Sequence, residues 1–366
     1  MIDTAGEAER AGVRHLREIA CEPRAAGSVA EAKARAYAAV VLREAGFTVH
    51  EESFEYSRLP GSYGTPLIGF LLGATVVAGA MLALDERAHT AAIVLMLGLA
   101  VAFLSARALL GEGVLRNPWM RATGINLVAT RGSTEPRVWL VAHLDSKSQP
   151  VPSAVRIAGV VTLSLAIVAS VAAALLTLID GPSRTGWWVA SVLAVVGAIP
   201  LVLSVVGNDS PGAVDNASGV AAVLEAATRA RPTLDFGVLL PSAEELGLAG
   251  ARAFVATRPP GIALNCDGVD DGGDIVIMHT GKSQTELVNA IERESRQPVS
   301  VRKMPPGLLT DSVAFADEGW KTVTVSHGSA KTLRRVHTKR DSLVDFAGSA
   351  IVTIGELLVL VLEALV

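Results

Sequence analysis

The amino-acid sequence predicts an α/β protein: a mixed, largely parallel sheet sandwiched by helices, with four membrane-spanning helices inserted into it. Three observations predict this. Strand and helix signals alternate from Phe236 onward, as FGVLL, GLAGARAFVA, IALNC, DIVIMH, QTELVNAIERES and VTVSH, before a last apolar helix from about residue 347. Four apolar runs of membrane length occur in two pairs. Side chains able to bind metal stand just beyond several strands, where open α/β sheets place their sites.

The apolar runs come first, because they explain the composition. Of 366 residues half are hydrophobic and only 19% are charged, and the mean hydropathy is +0.43, too apolar for an ordinary soluble enzyme. The excess is local. Pro66 to Leu84 and Thr90 to Leu110 form one block, separated by DERAH and carrying only Arg107 near its end. Ile157 to Ile179 and Trp187 to Val206 form the other, both uncharged and joined by DGPSRTG. Each run approaches the ~20 residues a bilayer-spanning helix needs. Trp187 and Trp188 are expected at the membrane interface.

Two hairpins return the chain to the side it left. Residues 1–64, 111–155 and 208–366 are therefore expected to fold together as one polar domain, with hairpins at 65–110 and 156–207. Flanks on the polar-domain side carry Arg58, Arg107, Arg116, Arg121, Lys147 and Arg156, against Arg87 and Arg184 in the opposite turns. The excess of positive charge places the domain and both termini in the cytoplasm. Residues 1–30 show no apolar core of a signal peptide, and two cysteines, Cys21 and Cys266, fit a reducing compartment. A net charge of −4 argues against a nucleic-acid partner. The expected surroundings are a lipid bilayer, with the chain a multi-pass protein of the cell membrane.

Within the polar parts, residues 5–20 and 30–45 read as amphipathic helices, the second stopped by Gly46. FTVHEESFEYS reads as a strand. INLVAT and RVWLVA read as strands joined by RGSTEP, and GVAAVLEAATRA as a helix after the loop GNDSPGAVDNASG. No internal repeat is visible.

The polar residues at strand ends then fall into order. VWLVAHLDS puts His143 and Asp145 after a buried strand; AVDNASG puts Asp215 before a helix; PSAEELGLAG supplies Glu244 and Glu245; NCDG supplies Asp267; VHTKRDSL supplies His337. Each has a duller explanation by itself: a hydrogen-bonded strand-end histidine, a helix cap, a solvated turn, a surface histidine. Together they make the imidazole and carboxylate set that suits zinc or a related divalent ion.

In this order the motifs HLD, DNASG, EELGLAG, NCDG and HTKRD resemble the di-zinc aminopeptidases of metallopeptidase family 28. The resemblance covers the polar part, including RHLREIACEPRAAGS, and leaves out the hairpins. It implies a zinc-exopeptidase-like fold, two Zn2+ ions, with Co2+ or Mn2+ as possible substitutes, and a peptide substrate cut at its amino terminus. It further implies that His143 and Asp267 hold one ion, Glu245 and His337 the other, and that Asp215 bridges them. Asp145 would accept the second N–H of His143, and Glu244 would be the general base that moves a proton from water to the departing amine. The second hairpin interrupts the chain between His143 and Asp215, so the site is expected near the membrane surface.

Two features depart from the family pattern. Many relatives have a histidine after the aspartate of a late SDH motif, where this chain has Asp311 and Ser312. All three tyrosines, Tyr37, Tyr56 and Tyr63, precede the site, so a late tyrosine for the oxyanion is missing. His279 and His327 read as strand-end packing residues. Three alternatives stand beside the peptidase. A non-catalytic receptor or scaffold on the same fold would show an eroded ligand set; a glutaminyl-cyclase-like acyltransferase would use one zinc; a transporter would need polar residues within the spans.

Overall fold

Strands that are apolar on both faces require a layer of helices on each, and several strands here have that character. The computed structural model describes residues 4–109, 111, 113–181, 183–281, 284–305, 308–344 and 346–366; Leu110 and Pro182, which belong to an apolar run and a turn above, lie outside these. The described strands are β1 (Thr48–Ser57), β2 (Arg121–Arg131), β3 (Val138–Val141), β4 (Phe236–Leu240), β5 (Ile262–Val269), β6 (Asp274–His279), β7 (Val299–Lys303) and β8 (Lys321–Gly328). They form one sheet in the order β1-β2-β4-β3-β5-β8-β6-β7. The centre, β4-β3-β5-β8, is parallel throughout. β2 joins it antiparallel to β4, and β6 joins it antiparallel to β8. The sheet is mixed with a parallel centre, and helices cover both faces.

Successive residues of one strand enter opposite cores, as the two-residue period of a strand demands. Leu127, Val138, Leu140, Leu264 and Val323 join the larger core with the helices Thr4–Ile19, Val29–Glu44, Gly219–Arg229 and Ser349–Leu365. Val128, Trp139, Val141 and Ala263 face the other way, against Phe254, Phe315 and Trp320. Trp139 and Phe254 meet edge to face, with ring centroids 4.8 Å apart. Gly237 makes room for this on β4, since a β-carbon there would stand 2.4 Å from the Trp139 ring. β7 carries little apolar signal because it is the edge strand and three of its five residues are exposed.

The chain divides into two compact units. One comprises Met1–Tyr56, Arg121–Ser148 and Asn208–Val366 and contains the sheet; the other comprises Ser57–Met120 and Gln149–Gly207. Four helices of the second unit, Leu59–Leu84, Ala88–Leu109, Ser153–Asp180 and Arg184–Val202, are each long and apolar enough to cross a membrane. Small residues let them approach closely: a β-carbon on Gly73 would meet Ala198 at 2.8 Å, and one on Gly69 would meet Leu201 at 2.6 Å. Trp187, expected at the interface beside Trp188, is instead packed inside this unit, its Nε1 donating to Thr177 Oγ1 at 3.0 Å. The nearby helix pair offers that hydroxyl, and a buried indole needs such a partner. Trp188 is exposed.

Candidate metal centre

The parallel centre of the sheet decides where the polar residues go, because β3, β4, β5 and β8 all end at one edge. His143 and Asp145 follow β3; Glu244 and Glu245 follow β4; Asp267 lies at the end of β5; His337 lies on the segment after β8. Asp215 comes from an irregular turn, Ala213–Ser218, that runs into the helix Gly219–Arg229. All seven residues singled out in the sequence are brought together. His143 Nε2 lies 3.2 Å from Asp215 Oδ1, and 3.9 Å from both Glu244 Oε2 and Asp267 Oδ1. His337 Nε2 lies 2.9 Å from Asp215 Oδ2 and 3.4 Å from Glu245 Oε1.

Two groups of donor atoms result, His143 with Glu244 and Asp267, and Asp215 with Glu245 and His337, the atoms of each lying within 4.8 Å of one another. A gathering of buried carboxylates is costly unless cations neutralise it. Glu245 Oε1 is buried and has no hydrogen-bond partner among the described residues. The donor set and this orphaned oxygen fit divalent ions of the zinc type.

The turn after β4 shows how adjacent glutamates reach different places. Asn126 on β2 accepts from Ser242 N at 3.1 Å and donates to Gly250 O at 2.8 Å, closing the turn from outside. A side chain at Gly250 would collide with Asn126, its β-carbon 2.4 Å from Oδ1. Ala243, at φ +57, and Leu248, at φ +62, take left-handed conformations within the turn. Asp145 fixes the pair itself: Oδ1 accepts from Glu244 N at 3.0 Å and Oδ2 from Glu245 N at 3.2 Å. Glu244 then turns toward His143, and Glu245 toward His337.

Asp145 meets His143 first through its backbone. His143 Nδ1 meets the backbone carbonyl of Asp145 at 3.0 Å, whereas the carboxylate Oδ1 stands at 3.6 Å, too far for a good hydrogen bond. The carbonyl fixes the ring with Nδ1 protonated and Nε2 aimed at the carboxylates. The carboxylate is occupied by the glutamate backbone, because both its oxygens already have N–H donors.

Four more residues complete the site, and the sequence reading gave none of them this place. Lys147, counted there as a membrane-flanking charge, brings its Nζ to 2.5 Å from Glu245 Oε2, with its side chain only 17% exposed. Arg24 is wholly buried and donates to the carbonyls of Leu144, Ile19, Pro211 and Gly212, tying the β3 loop to the loop before Asp215. Asp341 accepts from Val214 N at 2.6 Å and Asp215 N at 3.1 Å. Asp311 is fully buried, and neither carboxylate oxygen has a hydrogen-bond partner among the described residues. The signal for Asp341 was present in HTKRD; Lys147 gave none beyond its place four residues after His143.

Charge and burial oppose each other here. Burial alone would lower the His143 imidazole, but Glu244, Asp145, Asp215 and Asp267 hold it well above its ordinary value. Burial pushes Glu244 well above the usual carboxylate range, Asp267 up to about 7 and Asp311 up to about 8. Glu245 goes the other way, to about 2, because Lys147 and His337 outweigh its burial. The site thus holds protons that a divalent ion would displace.

His279 and His327 stay out of the site. His327 Nδ1 contacts the Asp270 carbonyl at 2.6 Å, and His279 ends β6.

Comparison with known proteins gives three results. Residues 194–362 match the family model described as Peptidase family M28; the matched stretch contains Asp215, Glu244, Glu245, Asp267 and His337, and His143 and Asp145 precede it. No curated protein matches the chain. Among solved structures the chain is similar to an aminopeptidase from Aneurinibacillus sp. strain AM-1, at 15% identity and TM-score 0.57, with 96% of this chain and 92% of that one covered. It is similar to the zinc aminopeptidase BSAP from Bacillus subtilis, at 13% identity and TM-score 0.56, with 98% and 95% covered. It is similar to the Porphyromonas gingivalis glutaminyl cyclase, at 14% identity and TM-score 0.56, with 99% of each covered. The fold is therefore that of zinc aminopeptidases, and the family resemblance read from the motifs extends over residues 194–362.

Proposed function

From a chain whose residues 194–362 match peptidase family M28, we propose a membrane-anchored, di-metal aminopeptidase that hydrolyses the bond after a peptide's amino-terminal residue. The observation that carries this reading is the pair of donor groups around Asp215, with one imidazole at each end. His143 and Asp267 would hold one ion and Glu245 and His337 the other, with Asp215, within reach of both histidines, available to each. Bound there, zinc ions supply Lewis acidity to the scissile carbonyl and lower the pKa of water toward neutrality.

The chain's own residues do the rest. Glu244 takes the proton of the attacking water and passes it to the departing amine. Burial suits it to that task, since a carboxylate raised above its ordinary range is a stronger base toward the water's proton than an exposed glutamate. Asp145 keeps Glu244 and Glu245 apart by holding their backbone N–H groups. The Asp145 carbonyl holds His143 with Nε2 facing the centre. Arg24 and Asp341 fix the loop that carries Asp215.

The four apolar helices anchor the protein in the cell membrane, and the sheet-containing unit faces the cytoplasm. With Lys147 neutralised by Glu245, the flanking charges are Arg58, Arg107, Arg116, Arg121 and Arg156 against Arg87 and Arg184, still in favour of that side.

The likeness to a glutaminyl cyclase supports a second reading, acyl transfer with one zinc. Metal analysis of the full chain in mild detergent, with a panel of aminoacyl and glutaminyl reporter peptides assayed with and without chelator, separates the two. Two ions and chelator-sensitive release of amino-terminal residues support the peptidase. One ion with cyclisation of glutaminyl peptides overturns it, and two ions with no turnover leave a non-catalytic receptor.

A further inference from the structure

With Glu244 set aside as the base, the two metal positions are matched in their assigned ligands. His143 with Asp267, and His337 with Glu245, each offer one imidazole and one carboxylate, and Asp215 lies within 3.2 Å of one histidine and 2.9 Å of the other. On donors alone the two ions should bind alike.

Lys147 breaks this equality. Its Nζ stands 2.5 Å from Glu245 Oε2, and its side chain is largely withdrawn from solvent. The two oxygens of Glu245 are thereby divided: Oε2 belongs to the ammonium, while Oε1 faces His337 and lacks a hydrogen bond among the described residues. Asp267, the matching carboxylate, has no Lys or Arg ion pair among the described residues; it stands 3.9 Å from His143 and beside Glu244. Arg24, the other buried cation nearby, spends its N–H groups on backbone carbonyls.

A fixed positive charge against a ligand acts on an incoming divalent ion in two ways. It repels the ion at short range, where a partly buried site screens weakly. It also occupies one carboxylate oxygen, so Glu245 can offer only the other. Both effects fall chiefly on the position that Glu245 serves.

Resting on the di-metal reading above, we propose that Lys147 makes the two metal positions unequal: the ion at His143 and Asp267 is tightly held, and the ion at Glu245 and His337 is weak and exchangeable. Lys147 is then a positioning residue that ties the fully loaded form to the free metal concentration. The half-loaded chain would be its resting state wherever the metal is scarce.

Calorimetric titration of the chelator-stripped full chain in detergent with zinc chloride tests this. The wild type should bind two ions in steps at least roughly tenfold apart. Lys147→Met should strengthen the weaker step by roughly tenfold or more and leave the tighter one unchanged, Lys147→Arg should keep the gap, and His337→Ala should abolish the weaker step alone. Lys147→Gln carries the same expectation if the Met variant does not fold. Unchanged steps in the Met variant, a second step weakened by it, or loss of the tighter step in His337→Ala would overturn the proposal. A wild-type chain that binds one ion or none overturns the di-metal reading itself, and does so before any variant is made.

Discussion

His143 Nε2 and Asp215 Oδ1 stand 3.2 Å apart, although the second apolar hairpin lies between them in the chain. Each is fixed independently. His143 is held by the Asp145 carbonyl, and the Asp215 loop by the Asp341 carboxylate and the Arg24 guanidinium. An insertion as large as two membrane helices is tolerated because neither anchor belongs to it.

The adjacent glutamates should separate on mutation. Glu244→Gln is expected to lower turnover by about 10² to 10⁴ while keeping the bound metal, because it removes general-base catalysis and no ligand. Glu245→Gln is expected to lose metal from the His337 position. Metal analysis beside kcat for both variants checks this, and equal metal loss in the two would show the roles wrongly divided.

Asp341→Asn should slacken the Asp215 loop, since a carboxylate accepting two backbone N–H groups is replaced by a neutral amide. Loss of such an outer partner typically costs 10- to 100-fold in metal affinity or activity. The expected result is a loss in that range with the fold retained by circular dichroism. Wild-type metal affinity in this variant would remove Asp341 from the machinery.

The metal-free chain should become less stable as pH rises from 6 to 8. Burial raises Glu244 well above the carboxylate range, Asp267 to about 7 and Asp311 to about 8, so the folded state binds more protons than the unfolded one from about pH 4 upward. Raised His143 acts in the same sense, its contribution present below its unfolded pKa and lost as pH rises through the folded one. His15, pushed down to about 4, opposes them only below about pH 6.5. Thermal unfolding in detergent should show a midpoint several degrees lower at pH 8 than at pH 6, and added zinc should remove the difference. A midpoint that rises with pH would contradict the buried-carboxylate account.

Topology gives the fourth test. A reporter fused after Val366 should lie in the cytoplasm, and one inserted in the turn between Asp180 and Arg184 should lie outside. An alkaline phosphatase active at the carboxyl terminus would reverse the orientation and leave the chemistry of the site as it stands.

The apolar helices, the alternation of strand and helix, and the seven residues that meet at the sheet edge were all legible in the chain. Those are local signals: charge-free length, hydrophobic period, and ligand-type residues just past a strand. β7 escaped because its alternation is only two valines long, Val299 and Val301, in an edge strand with three of its five residues exposed. What each polar group touches was settled by the folded arrangement. Lys147 looked like a membrane-flank charge and became the counter-ion of Glu245; Asp145, read as the partner of a histidine side chain, also holds the backbone of two glutamates. The physical reason is that strand order, β4-β3-β5-β8, brings together loops that are far apart in the chain, and a buried charge takes its nearest partner in space.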